Sequence, residues 1–159
     1  MSSPDVVPLK EIEESLQEGE RQPLHPGWIP VLERVPVFQA LSKSHLRRVA
    51  RLAELKRYKS DAVVVRAGER GDAFYVILDG SARVQTPDGR TRDLHDGEFF
   101  GELALLDGAP RAATVSAIHS LATARIARPK FQKLLRKEPA IGVGLARGLV
   151  VIVRELQGK

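Results

Sequence analysis

The chain has 159 residues, a formal net charge of +5 and an apolar fraction of 43%, the size and balance of one globular domain with its own core. It holds no cysteine, which excludes disulfides and thiolate metal sites and fits a cytoplasmic protein. No apolar run approaches the roughly 20 residues of a membrane span, the C-terminal stretch Gly148 to Val153 between Arg147 and Arg154 included, and no basic segment followed by an apolar stretch marks a secretory signal.

Residues 1–20 carry one lysine against six acids, a net of −5, so the rest of the chain carries +10. A basic body suits an anionic ligand, and equally a nucleic acid. Within the acidic arm, Leu9, Ile12 and Leu16 follow helical spacing and Gly19 offers a stop, which predicts a helix over 8–20. Two prolines and a glycine between Gln22 and Gly27 break any helix. They divide the chain into an appendage and linker, 1–27, and a folded module, 28–159. Trp28 to Val35 reads as a helical turn that ends before Pro36. Ser42 is placed to cap a helix running to about Leu55, with Leu46, Val49, Ala50 and Ala53 inward and Lys43, Arg47 and Arg51 as a solvated stripe.

From Asp61 the period changes from helical to strand-like. Ala62–Val65 is a β-branched run, and 67–71 reads as a turn. Phe74–Leu78 is a second strand, closed by Asp79-Gly80. Ala82–Thr86 and Arg90–Leu94 flank Pro87-Asp88-Gly89, a strong hairpin signal. Beyond a segment over 100–114, Ala113–Ile118 and Leu121–Ala127 read as two more strands. Short strands at near-regular spacing with glycine turns predict a mainly β fold, an antiparallel jelly-roll barrel with flanking helices. Pro129 opens a helix carrying Phe131, Leu134 and Leu135, and Glu138-Pro139 interrupts it. A last helix is predicted from Pro139 to about Gln157, with Ile141, Leu145, Leu149, Ile152 and Leu156 on its apolar face. Gly142, Gly144 and Gly148 weaken it and permit close packing or motion.

The segment Phe100-Gly-Glu-Leu-Ala-Leu-Leu-Asp-Gly-Ala-Pro-Arg-Ala-Ala-Thr114 combines three chemical capacities. Gly101 lets backbone approach a ligand. Glu102 has a carboxylate that only accepts and so suits a sugar hydroxyl. Arg111 has planar paired donors that suit a phosphate. Leu103–Leu106 is predicted to form one helical turn with N–H groups facing an anion. This run resembles the phosphate-binding cassette of cyclic nucleotide-binding domains, found in regulatory subunits of cAMP-dependent kinases and in bacterial cAMP-responsive regulators. The resemblance extends to Leu32–Phe38 with Leu41, to Val65-Arg-Ala-Gly68, and to Gly71, Phe74–Ile77, Gly80 and Val84, covering roughly residues 31–156.

The resemblance implies a ligand-binding set of Phe100, Gly101, Glu102, Leu103, Ala104, Arg111, Ala112 and Ala113. In it Arg111 holds the phosphate, Glu102 the ribose hydroxyl, Leu103 and Ala104 give backbone contacts, and Ala112 and Ala113 flank the phosphate. Ala112 stands where related kinases carry a hydroxyl residue that favours guanine, which implies cAMP over cGMP. The ligand the resemblance implies is cAMP, with cGMP as the lesser candidate, and no other cofactor and no catalysis are expected. Leu149, Val153 and Leu156 are candidate base caps. The last helix is also a candidate homodimer contact, and the C-terminal helices are expected to shift with ligand and to signal to an unknown effector protein. No DNA-binding helix-turn-helix is expected within these 159 residues, whether the chain stands alone or is part of a longer one. Two other readings stay open: a ligand-free jelly-roll interaction scaffold, and a cupin-type metal enzyme using His95, Glu98 and Glu102.

Overall fold

The computed structural model describes residue 27 and residues 29–158. The predicted helix over 8–20 lies outside the described residues, as does nearly all of the 1–27 appendage. Helix α1 (Ile29–Glu33), a 3-10 turn (Pro36–Phe38) and helix α2 (Lys43–Ala50) precede the strands. Strands β1 (Glu54–Tyr58), β2 (Val63–Val65), β3 (Ala73–Asp79), β4 (Ala82–Gln85), β5 (Thr91–Leu94) and β6 (Phe99–Phe100) follow. A one-turn helix, α3 (Ala104–Asp107), leads into β7 (Thr114–Ala117) and β8 (Leu121–Ala127), and helices α4 (Arg128–Lys137) and α5 (Pro139–Gln157) close the chain.

The strands form two four-stranded sheets, ordered β1-β8-β3-β6 and β2-β7-β4-β5, antiparallel throughout. Face to face they make the expected barrel-like β fold with flanking helices. Strand β3 shows why its sequence is an unbroken apolar run: it is buried on both sides. Tyr75 and Ile77 point between the sheets with Val65, Leu94, Val115 and Leu121. Phe74, Val76 and Leu78 point outward into a second core with Leu32, Phe38, Val49, Phe131, Ile141 and Leu145 from the helices. Phe74 meets Phe38 edge-on at 5.6 Å between ring centroids.

Two elements depart from the sequence expectation. Helix α2, capped by the Ser42 hydroxyl that accepts from His45 N–H at 3.1 Å, stops at Ala50 and does not reach Leu55. Leu52 and Ala53 close it with bonds to the carbonyls of Val49 and Ala50, and Glu54 already begins β1, which pairs with β8 from Glu54↔Arg125 to Tyr58↔Leu121. Its Lys56 and Arg57 are both exposed, so no alternation marks this edge strand. Thr123, fully buried, ties the pair further by donating its hydroxyl to Lys56 O at 3.0 Å. The other unforeseen element is β6, two phenylalanines paired with Tyr75 and Val76.

The C-terminal helices lie on the outer core. Pro129 sits in the first turn of α4. In α5 Ile141 and Leu145 are buried and Leu149 packs against the core, but Leu156 is 70% exposed and lies off the buried face. Gly144 and Gly148 are the contact surface with the N-terminal segment. A Cβ at Gly144 would stand 2.6 Å from Leu41 Cδ2, and one at Gly148 would stand 2.7 Å from Val37 O. Gly142 faces open space. No helix among the described residues is long and apolar enough to cross a membrane.

Candidate functional site

The inner face of the second sheet continues beyond the core into an open cavity of about 340 Å³, within the range of small-molecule sites. One wall is the segment from Phe100 to Ala104, the other is the segment from Ala109 to Ala113, and the floor is made by Val65, Val84 and Val115. All eight residues named from the sequence line this cavity: Phe100, Gly101, Glu102, Leu103, Ala104, Arg111, Ala112 and Ala113.

The walls are held by the fold. Phe100 stacks on Tyr75 with ring centroids 4.9 Å apart and planes 11° from parallel. Behind it Arg125 lies over the Tyr75 ring at 6.0 Å, and its Nε donates to the Tyr75 hydroxyl at 3.3 Å. Burial, reinforced by Tyr75, lifts the neighbouring Tyr58 hydroxyl well above the ordinary phenol value. The β2–β3 loop clamps the opposite wall by backbone bonds. Arg111 N–H donates to Glu69 O at 2.7 Å, Arg111 O accepts from Gly68 N–H at 2.8 Å, and Ala109 O accepts from Gly71 N–H at 3.0 Å. Asp107 Oδ1 accepts from Ala109 N–H at 2.9 Å and closes the turn that delivers Arg111.

Arg111 is half-buried. One terminal nitrogen, Nη2, donates to Ala73 O, while its Nε is buried without a protein partner among the described residues. Burial lowers its pKa, the sign of a charge whose desolvation is not fully offset. Gly101, at φ +81, makes this placement possible, since a Cβ there would overlap Arg111 Nη1. The glycine therefore serves the arginine as directly as it serves ligand approach.

Helix α3 forms where the single turn is predicted, with Leu105 buried and Leu106 packed on the core. Its amides are not free in this conformation: Ala104 N–H donates to Gly101 O at 3.1 Å and Leu105 N–H to Glu102 O at 3.3 Å. No side chain caps the turn, so the Glu102 carboxylate is not used as a cap. The Thr114 hydroxyl accepts from Ala67 N–H at 3.0 Å and so belongs to the packing of the sheet.

None of the candidate base caps, Leu149, Val153 and Leu156, lines the cavity. Leu149 packs on the core, and the other two are at least half exposed. The floor valines and Arg92 also line the cavity and were not anticipated. The hairpin signal at Pro87–Gly89 pairs Val84 with Arg92, so these two were within reach of the sequence. Val65 and Val115 depend on a long-range register that it does not carry. His95 is occupied in its own turn, with its N–H on Glu98 Oε1 at 3.1 Å and Nδ1 against Ser81 Oγ at 3.1 Å. No group of acids and histidines among the described residues is arranged to hold a metal ion.

Two sheets enclosing a cavity rimmed by Glu102 and Arg111 define a β-barrel ligand-binding module. The family model for the cyclic nucleotide-binding domain matches residues 55–138, and the chain belongs to that family. It is 35% identical over 125 residues, 79% of this chain, to a cyclic nucleotide-gated potassium channel of Mesorhizobium japonicum. It is 36% identical over 106 residues, 65% of this chain, to a cAMP-dependent protein kinase regulatory subunit of Colletotrichum orbiculare. The matches span 34% and 27% of those relatives' own lengths. Among solved structures, the N-terminal domain of a transcriptional regulator from Streptomyces coelicolor superposes with a TM-score of 0.70 at 27% identity, covering 79% of this chain and 94% of that one.

Proposed function

We propose that this chain is a regulatory module that binds cAMP in preference to cGMP, performs no chemistry on it, and passes the bound state on through its C-terminal helices. One observation carries this reading: a half-buried guanidinium with an unpartnered Nε in the cavity wall, facing the segment that carries Glu102. A ring phosphate offers this group the acceptors that the protein does not, and a ribose hydroxyl offers Glu102 a donor. Ala112, exposed on the rim, has no hydroxyl with which to meet guanine. The names of the relatives support the ligand class.

The coupling follows from contacts. Arg128, the first residue of α4, packs its guanidinium on Gly108 at the end of α3, and its N–H donates to Asp72 O at 2.8 Å. Ligand drawing Arg111 and α3 inward thus acts on α4 and, through it, on α5. A ligand that favours one arrangement over the other makes the module a switch. The effector is a separate protein or a neighbouring domain, and α5 is the candidate contact for a second copy.

Calorimetric titration of nucleotide-free protein with cAMP, cGMP and 5′-AMP tests the reading. Saturable binding of cAMP ahead of the other two is expected, with no 5′-AMP produced. Failure to bind cAMP, or its hydrolysis, overturns it.

A further inference from the structure

Helices α2 and α4 are tied together by ion pairs at two places. Arg48 of α2 pairs with Glu138, just past the end of α4. Glu54, just past α2, accepts from Lys130 Nζ at 2.7 Å in the first turn of α4. The two stretches therefore run side by side in opposite directions. Lys133 and Lys137 follow Lys130 at helical spacing, so they continue the side of α4 that meets this seam. Arg47 and Arg51, one turn apart, stand on α2 beside Arg48. Residues 43–54 and 128–138 together hold nine basic residues and two acids, and the ties use both acids. Lys43, Arg47, Arg51, Lys133, Arg136 and Lys137 are exposed, and among the described residues their side chains have no ion pair or hydrogen bond. Like charges gathered without counter-charge repel one another, and an anionic occupant relieves them.

We propose that the occupant is the chain's own acidic arm, residues 5–20, lying across the basic face of α2 and α4. Three observations favour it. The arm carries Asp5, Glu11, Glu13, Glu14, Glu18 and Glu20 against Lys10 alone, a net of −5 that complements the face. Helix α1, to which it is joined, packs against α2, so the arm enters beside this surface. Residues 21–28 separate Glu20 from α1, a tether that spans at most roughly 29 Å. Each exposed ion pair is weak alone. A tether this short supplies an effective concentration on the order of millimolar, so several weak pairs acting together hold the arm in place. The proposal does not depend on the ligand in the cavity.

The test is carbodiimide cross-linking of the full chain, which joins carboxylates to lysine amines and spares arginine. Links are mapped by mass spectrometry in the monomer fraction. In about 10 mM salt, arm carboxylates are expected to link to Lys133 and Lys137 about tenfold more than to Lys59, an exposed lysine beyond β1. The preference should vanish in about 1 M salt, where the Debye length falls from about 30 Å to about 3 Å. Arg47→Gln with Arg51→Gln keeps every cross-linking group and should abolish the preference. Arg147→Gln with Arg154→Gln removes the same charge from exposed positions on α5 and should leave it intact. Equal linkage to all three lysines, a preference that survives high salt, or equal effects of the two double variants overturns the proposal. Links confined to the dimer fraction also overturn it, by assigning the face to the arm of a second copy.

Discussion

At the level of single residues, the site is an arginine and the glycine that admits it. Arg111 reaches the cavity wall because Gly101 lacks a side chain and takes a positive φ. Gly101→Ala should therefore act on ligand affinity as well as on stability. The backbone strain alone costs about 1–2 kcal/mol, and the displaced guanidinium should lose much of the phosphate contact proposed for it. Melting and titration of the variant check both effects, and full retention of cAMP affinity would show that the arginine does not need this space. Ala112 governs a smaller effect. Ala112→Thr supplies a hydroxyl beside the proposed phosphate position and should raise cGMP affinity relative to cAMP by about 1 kcal/mol. A competition assay reads the ratio, and an unchanged ratio removes the basis for the expected base preference.

At the level of elements, α5 depends on which of its glycines touch the rest of the protein. Gly148 abuts the carbonyl of Val37, a backbone atom that cannot swing aside, whereas Gly142 faces open space. Gly148→Ala should lower the unfolding midpoint and shift α5 away from the 3-10 turn at Pro36–Phe38. Gly142→Ala should raise stability by up to about 1 kcal/mol through helix propensity alone. Thermal unfolding of the two variants, with opposite signs expected, checks the packing role. The sequence made α5 legible because its apolar spacing and Pro139 define it, but it could not say which glycines were contacts, since the partner residues lie about a hundred positions earlier. The cassette was legible because its chemistry is local: Gly101, Glu102 and Arg111 fall within one short segment. Strand β1 was not, because its exposed Lys56 and Arg57 conceal a period that only pairing with β8 reveals. The valine floor was hidden for the same reason, being assembled from strands far apart in the chain.

At the level of the whole molecule, the cavity wall and the C-terminal helices are joined through a short path, from Arg111 and α3 to Gly108, Arg128 and α4. Hydrogen exchange with and without cAMP should show altered protection in α4 and α5 as well as in 101–114. Protection confined to the cavity would separate binding from transmission and leave only the former. The barrel supplies a rigid frame for this, since its β3 strand is locked into both cores. The measurement that bears most directly on the whole account compares cAMP binding by the wild-type protein and by Arg111→Ala. Charge-assisted hydrogen bonds to phosphate predict a loss of about 2–4 kcal/mol, roughly 30- to 900-fold, at an unfolding midpoint close to that of the wild type. Equal affinities in the two proteins would contradict the central claim that this guanidinium holds the ligand's anion.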